Sequence, residues 1–316
     1  MAYVAKKIMA TYAIFFGNNF MLSYQHAFHA GNHADVLKHL TLIYVLNSLN
    51  KKEKPYTCFD SHAGSGIYNL EDSRILKTLE AEKGIIKLFS ELNSEDFLFA
   101  VRKNEALCNY LDYIRPYLEK NFYPGSPEIE KKLKRNQDFL FLSELHPKEF
   151  ENLKVNMKKD FFSKDNPLLC KSKVNDSFSN ISIHKRSGWE MIEALTPPKT
   201  SRGSLLVDPS YEEDSDYIHA TQSICRVYKK WSNGIIMLWY PLLLHRKTEI
   251  EKMLTAISSF CQKQNSNVEL CNLQLKVFEP DESKPRLYGS GMFVINPPYL
   301  LEQNVNEALA VVKKVL

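Results

Sequence analysis

The sequence predicts an α/β fold with a mostly parallel sheet that helices cover on both faces. Short apolar runs alternate with stretches of helical periodicity over most of the 316 residues, and this alternation is typical of parallel sheets with crossover helices. Polar clusters directly follow the apolar runs, at 60–66, Glu144, 187–188 and 208–211. Ligands of such sheets bind beyond the carboxyl ends of the strands. The polar clusters therefore predict a binding site at that edge.

The first predicted elements are a helix over 34–50 and a strand over 56–59. Apolar residues recur in the helix at steps of three and four, and Asn32 is its expected N-cap. From 70 to 136 the pattern is helical and charge-rich, without a convincing strand. This stretch is predicted to be an inserted helical subdomain, with 21–69 and 137–316 forming the main domain.

The alternation resumes after the insertion. Strands are predicted at 138–142, 181–184, 204–207 and 235–239, with helices at 148–161, 188–195 and 217–231. A further helix carries Ile250, Met253, Leu254, Ile257 and Cys261 on one stripe. Strand candidates at 268–278 and 291–295 predict a terminal hairpin.

Composition indicates an ordinary globular protein: 44% of the residues are hydrophobic, 25% are charged, and the net charge is +4. Such a mild basic excess is compatible with nucleic acid and equally common elsewhere. The cysteines show no C-x-x-C spacing, which argues against a zinc knuckle or a disulfide framework and suits a reducing cytoplasm. The apolar run 8–16 is too short for a membrane span, and residues 1–20 are expected to be an upstream extension.

Two glycines and one acid have the character of a nucleotide-binding turn. Gly64 and Gly66 form G-x-G after a strand, where bare backbone can approach a ligand. Glu144, at the end of the next main-domain strand, is suited to accept hydrogen bonds from ribose hydroxyls. In dinucleotide folds that acid follows the glycines by about 20 residues, so this interpretation requires the insertion. A solvated acid at a strand end is the alternative for Glu144.

The turn Asp208-Pro209-Ser210-Tyr211 is the sharpest local signal for chemistry. The lone pair of an exocyclic amino nitrogen such as adenine N6 is delocalised into the ring. A carboxylate from Asp208 and the carbonyl of Pro209 could accept both N6 hydrogens, and Tyr211 offers a ring for stacking. The carboxylate could then receive the proton that is lost. The alternative is a plain Asp-Pro turn.

A second motif, Asn296-Pro297-Pro298-Tyr299, matches the same pattern. It follows the last predicted strand. If that strand is antiparallel to the others, its carboxyl end points away from the ligand edge. The sequence therefore favours Asp208.

Four histidines between 26 and 39 could suggest a metal site. Gly31 and Asn32 lie before the expected helix start, and no cysteine or acid cluster completes a ligand set. We therefore predict no metal, and interpret the stretch as a lid over a base or cofactor.

Several blocks together resemble one known family. They are MLSYQHAFHAGNHADVLKH, DSHAGSG, YPGSP, SELHP and DPSY, in this order from Met21 onward. The sequence closely resembles the bacterial ribosomal RNA large subunit methyltransferase J family. The resemblance implies a Rossmann-like class I fold dependent on S-adenosylmethionine (AdoMet), with a small inserted helical subdomain. It also implies transfer of a methyl group to N6 of one adenine in 23S rRNA.

The resemblance also implies site residues in this chain. Cofactor contacts are expected at His39, His62, Ser126, Glu144, Ser187, Gly188 and Asp208, in addition to Gly64 and Gly66. Tyr24 matches a tyrosine beside the substrate RNA. Lys38, next to His39, is a candidate for holding a phosphate; the alternative is an ordinary solvated lysine.

Two departures from the family pattern stand out. Ser210 replaces the second proline of the Asp-Pro-Pro-Tyr turn, and Ser187 replaces an aspartate before Gly188. The hydroxyl of Ser187 is a weaker acceptor for the adenine amino group of AdoMet. Alternative functions are a DNA adenine-N6 methyltransferase and an inactive RNA-binding homologue. The expected partner is 23S rRNA free of most protein, with no membrane and no obligate protein partner.

Overall fold

The computed structural model describes residues 26–161, 180–281, 283 and 286–316. The predicted extension over 1–20 and the candidate RNA contact Tyr24 lie outside these residues. The described chain begins with a 3₁₀ turn, His26–Phe28.

Strands form two sheets in the described residues. They are β1 (Thr57–Asp60), β2 (Ile67–Asn69), β3 (Phe122–Pro124), β4 (Phe139–Ser143), β5 (Ile181–His184), β6 (Gly203–Val207), β7 (Ile235–Leu242), β8 (Leu270–Lys276) and β9 (Gly289–Ile295). The main sheet has the order β5-β4-β1-β6-β7-β9-β8. Its first five strands are parallel, and β9 is antiparallel to both β7 and β8. The predicted mostly parallel α/β sheet and its terminal hairpin are confirmed.

Helices connect these strands. They are α1 (His33–Asn50), α2 (Ser73–Thr78), α3 (Lys87–Ser90), α4 (Glu95–Lys103), α5 (Glu105–Leu118), α6 (Ser126–Leu133), α7 (Pro147–Met157), α8 (Gly188–Leu195), α9 (Asp214–Lys230), α10 (Lys247–Gln264) and α11 (Leu301–Val312). The start of α9 precedes the predicted residue 217, because Glu213 and Asp216 form a capping box. The sequence pattern missed α11 altogether.

Side chains alternate between the two faces of the main sheet, as strand geometry requires. In β1, Cys58 packs into one core cluster and Phe59 into the other. In β6, Leu206 belongs to the first cluster, and Leu205 belongs to the second. Every residue of these two strands is buried, so both of their faces pack against the core.

Helix α1 is buried on nearly every side, although the sequence predicted a single apolar stripe. It lies between the main sheet, which it contacts through β9, and the helices α5 and α11. Leu37, Leu42 and Val45 are therefore as buried as the predicted stripe. A helix packed from several directions loses the polar face of a surface helix. The N-cap is confirmed, since the Asn32 side chain accepts from the amides of Ala34 and Asp35.

The stretch from 70 to 136 is mainly helical, but it also contains β3, and the prediction that it holds no strand was wrong. β3 pairs with β2 in an antiparallel ladder of three residue pairs, too short to give a periodic signal. Helix α6, near the end of the stretch, contacts β1 and β4 of the main sheet. The boundaries of the inserted subdomain stay a prediction.

Among the described residues, no helix combines the length and the apolar character that a membrane span needs.

Candidate functional site

A cavity of about 170 Å³ opens at the carboxyl ends of β1, β4 and β6. One water needs roughly 10–15 Å³ on this measure, so the space suits a small organic molecule. The predicted site residues that line it are Lys38, His39, His62, Gly64, Ser126, Glu144, Ser187, Gly188, Asp208 and Pro209. Strand β1 lies between β4 and β6, which is the switch point of the strand order, where ligands of open α/β sheets bind.

The predicted polar cluster at 60–66 begins with Asp60, a buried carboxylate for which the sequence indicated no individual role. Asp60 accepts hydrogen bonds from the Ser126 hydroxyl at 2.7 Å and from the His62 amide at 3.1 Å. Burial raises the pKa of Asp60 to about 6, although both hydrogen bonds oppose the rise. Asp60 thus joins the β1 turn to the start of α6.

Gly64 and Glu144 both line the cavity and are joined by a hydrogen bond. The Gly64 amide donates to the Glu144 carboxylate at 2.8 Å, and the His146 amide donates to the same group at 2.7 Å. Gly64 has φ +60°, and a Cβ there would collide with the Tyr68 hydroxyl. Burial raises the pKa of Glu144. The alternative of a solvated strand-end acid does not describe this half-buried, hydrogen-bonded group.

Gly66 does not line the cavity. Its φ is +78°, and its carbonyl accepts a hydrogen bond from the Gly125 amide at 2.8 Å. A Cβ there would lie 2.9 Å from Met157. Gly66 therefore shapes the turn and brings Ser126 to the cavity through Gly125.

Helix α8 begins directly against the β1 turn. A Cβ on Gly188 would lie 2.0 Å from the Ser61 carbonyl oxygen. Only glycine permits this approach, which brings Ser187 and Trp189 to the cavity wall. The Trp189 ring makes an edge contact with the His62 ring, with centroids 5.0 Å apart.

The two histidines predicted to contact the cofactor, His39 and His62, both line the cavity and are uncharged at neutral pH. Burial lowers the pKa of His39 to about 3 and that of His62 to about 4. His39 Nδ1 is 2.8 Å from the Tyr123 hydroxyl, whereas its Nε2 has no hydrogen-bond partner. His62 Nδ1 is 2.8 Å from the Ser61 hydroxyl. These rings can therefore offer polar contacts without placing a charge beside a bound cation.

Asp208 follows β6 and is joined to Lys38 by an ion pair. Lys38 Nζ lies 2.6 Å from Asp208 Oδ2 and 2.8 Å from Asp35 Oδ1. Lys38 is only 4% exposed, so the alternative of a solvated lysine was wrong. Burial opposes the charged form of Lys38, but the two carboxylates raise its pKa well above the usual value. A phosphate could reach this ammonium only after it leaves a carboxylate.

Tyr211 does not line the cavity and is only 6% exposed. Its ring packs against Tyr217 and Trp239, and its hydroxyl donates to the Trp239 carbonyl at 2.9 Å. Its φ of +53° is unusual for a residue with a side chain. In this conformation Tyr211 holds the 208–211 turn and presents no face to the cavity.

The second motif lies at the opposite edge of the sheet. Asn296 follows the antiparallel strand β9, and its amide donates to the carbonyls of Ser232 and Gly234, just before β7. The reasoning from strand direction that favoured Asp208 is thus supported by the sheet topology.

Other residues line the cavity for which the sequence indicated no individual role: His26, Ser61, Ala63, Tyr68, Gly125, Ser143, Leu145, His146, Glu149, Trp189, Ser210 and Asp216. Many of them adjoin predicted residues, and that adjacency was the available signal. Within the described ranges, no group of three or more His, Cys, Asp or Glu could hold a metal ion. His29 instead pairs with Glu80 at 3.0 Å.

Comparisons with known proteins agree with this geometry. The family model described as "Ribosomal RNA large subunit methyltransferase D, RlmJ" matches residues 53–316. Ribosomal RNA large subunit methyltransferase J of Escherichia coli K12 is 36% identical over 289 residues, 92% of each chain. The Haemophilus influenzae protein of the same name is 34% identical, over 94% of each chain.

A solved structure shows the same fold. The crystal structure of a protein from Legionella pneumophila matches with a TM-score of 0.72 and 28% identity, covering 91% of this chain and 94% of that one. Taken together, the Rossmann-like architecture, the site at its switch point and the extent of these matches show that the chain belongs to the ribosomal RNA large subunit methyltransferase J family.

Proposed function

We propose that this protein transfers a methyl group from AdoMet to N6 of an adenine in 23S rRNA. The observation that carries the proposal is the position of Asp208 and Pro209. They line the same cavity as the nucleotide-binding turn around Gly64 and Glu144, at the switch point of the sheet. Acceptors for an amino group therefore face a site suited to a nucleoside cofactor.

The cavity residues fit AdoMet. The bare backbone at Gly64 allows close approach, and Glu144 retains acceptor capacity for ribose hydroxyls beyond its two backbone hydrogen bonds. The neutral rings of His39 and His62, with the hydroxyl of Ser126, add polar contacts. Ser187 and Gly188, which also line the cavity, are candidates for contacts with the adenine ring. When bound, AdoMet supplies an electrophilic methyl group.

Asp208 and Pro209 prepare the amino nitrogen. A carboxylate oxygen and the Pro209 carbonyl accept the two N6 hydrogens, which draws the nitrogen lone pair out of conjugation with the ring. Asp208 then receives the proton that the methylated nitrogen releases. Because Lys38 occupies Asp208 Oδ2, the amino group must share or displace that contact.

Tyr211 supports this turn through contacts outside the cavity. The stacking predicted for its ring would require it to leave its packing with Tyr217 and Trp239. We therefore propose that Tyr211 fixes the backbone of 208–210 through its hydroxyl bond to Trp239. Stacking on the target base then falls to other residues, for which Tyr24 stays a candidate.

The RNA substrate is inferred from the family. Both named relatives are called ribosomal RNA large subunit methyltransferases. The target base must lie outside a helix, since its N6 is inaccessible while paired and stacked. A protein-free 23S rRNA is therefore the substrate to test.

The test measures transfer of labelled methyl groups to protein-free 23S rRNA and to duplex DNA, followed by nucleoside analysis. We expect N6-methyladenosine in the rRNA alone. Asp208→Asn should lose about 100-fold or more in turnover, because it weakens an acceptor and removes a proton sink, while AdoMet still binds. Tyr299→Ala, in the second motif and 86% exposed, is the control and should remain active. Methylation of another atom, of DNA alone, or none at all with AdoMet bound would contradict the proposal.

A further inference from the structure

Asp35 is a buried carboxylate beside the site, to which the sequence analysis assigned no role. It lies on the first turn of α1, is 1% exposed and does not line the cavity. Its Oδ1 is 2.8 Å from Lys38 Nζ. Its Oδ2 accepts from the Gly31 amide at 2.8 Å and lies 3.1 Å from His26 Nε2. Asp35 thus contacts Lys38 and His26, two residues that line the cavity, and the backbone of Gly31.

Lys38 is held between two carboxylates. Asp35 is one helical turn away on α1, and Asp208 lies across the cavity on the turn after β6. A buried ammonium with a single carboxylate can move with that partner, whereas two partners from different elements define its position. Asp35 therefore determines where the charge of Lys38 meets Asp208.

Asp35 itself is kept ionised by its surroundings. Burial would raise the pKa of Asp35, but its contacts with His26 and Lys38 hold it well below its usual value. The Gly31 amide adds a hydrogen bond that does not depend on a side chain. This carboxylate can therefore keep Lys38 in place when Asp208 turns to another partner.

We propose that Asp35 is a positioning residue for methyl transfer, which retains the Lys38 ammonium so that it orients the Asp208 carboxylate and can yield one of its oxygens to the arriving amino group. The proposal rests on the role of Asp208 proposed above. It predicts that Asp35 acts on turnover through Lys38, and not through AdoMet binding.

The test is a double-mutant cycle of Asp35→Asn and Lys38→Met with protein-free 23S rRNA. Asp35→Asn should lower kcat about 10- to 100-fold, the scale of small misplacements in a site, with AdoMet affinity and the KM for RNA nearly unchanged. In the Lys38→Met background the same substitution should have little further effect, since coupled residues are not additive. The proposal would be overturned if the losses of kcat from the two single substitutions multiply in the double variant. A normal kcat in Asp35→Asn would also overturn it.

A charge-retaining variant separates positioning from packing. Asp35→Glu disturbs the buried site at least as much as Asp35→Asn but keeps the charge, so it should turn over faster than Asp35→Asn. The reverse order would overturn the proposal. If Asp35→Asn does not fold, the cycle is measured with Asp35→Glu instead. A loss of kcat from Asp35→Glu that is as large in the Lys38→Met background as in the wild-type background would then overturn the proposal.

Two further variants complete the design. Glu80→Gln alters the turn before α1 through the contacts of Glu80 with His29 and Asn32. Because Glu80 does not contact Lys38, the turnover of this variant should stay close to that of the wild type. Asp208→Asn, assayed in parallel, distinguishes the two failures. Normal turnover in Asp208→Asn contradicts the proposed function, whereas an inactive Asp208→Asn beside a fully active Asp35→Asn contradicts this inference alone.

Discussion

At the scale of single residues, burial changes what the site's charged groups can do. Lys38 and Asp60 have side chains that are usually solvated, and both are buried here. The ammonium of Lys38 is neutralised by carboxylates, and the pKa of Asp60 is raised by desolvation. Two predictions follow from these environments.

The ion pairs of Lys38 predict its effect on RNA binding. Because its ammonium is buried against Asp35 and Asp208, Lys38→Ala should reduce turnover and leave the salt dependence of RNA binding unchanged. A phosphate contact would instead reduce the slope of log affinity against log salt by about one unit. Titrating RNA at several salt concentrations distinguishes the two, and a slope lower by one would support the phosphate role.

The raised pKa of Asp60 predicts a dependence of stability on pH. The folded value of about 6 exceeds the ordinary value of 3.8, so the folded state binds more protons between these values. The contribution of Asp60 to the free energy of unfolding therefore falls as pH rises from about 4 to about 6. As pH rises through this window, the free energy of unfolding of Asp60→Asn should increase relative to that of the wild type by up to about 3 kcal/mol.

Urea unfolding of both proteins at several pH values measures this difference. Asp96→Asn, at an exposed carboxylate, is the control and should show no such trend. A difference between Asp60→Asn and wild type that does not vary with pH would mean that Asp60 titrates normally.

At the scale of elements, local signals predicted the strands and most helices because each has its own pattern. β5 and α8 match their predicted bounds, and β1 and β6 differ by one residue. The short strands β2 and β3 and the terminal α11 were missed. A three-residue strand has no measurable period, so it is recognised only when its partner is seen.

The close contact at the start of α8 predicts that one added methyl group, in Gly188→Ala, strongly weakens cofactor binding. Gly188→Ala favours the helix itself, but the new Cβ collides with the Ser61 carbonyl. Either α8 or the β1 turn must move, and both form the cavity wall. We expect AdoMet affinity to fall about tenfold or more, measured by calorimetry, because such sites tolerate little displacement. Glu190→Ala, exposed on the same helix, should bind normally; equal binding by both variants would refute the argument.

At the scale of the whole molecule, α11 connects parts of the chain that are distant in sequence. It packs against α1, α4, α5 and β8, and therefore contacts both the helices between β2 and β3 and the main sheet. Its apolar face, which includes Val305 and Leu309, is buried. The terminal helix thus contributes to the stability of both parts.

Leu309→Ala should therefore destabilise the protein by about 2–5 kcal/mol, the usual cost of a buried leucine. Because α11 spans both parts, unfolding should shift as a single transition, monitored by circular dichroism and by tryptophan fluorescence. Glu302→Ala, exposed on the same helix, should have little effect. Separate shifts of the two signals would show that the parts unfold independently.

The sequence by itself determined the order of strands and helices, the edge of the sheet that carries the site, and the preference for Asp208 over Asn296. The order and the edge depend on periodicity, which is a local property of the chain, and the preference for Asp208 followed from the expectation that the last strand runs antiparallel. Only the tertiary structure decided that Lys38 pairs with Asp208, that Asp35 holds Lys38, and that the Tyr211 ring is buried. Periodicity indicates which face of an element is buried but not what lies against it, and the partners of Lys38 and Tyr211 come from elements that folding alone brings together.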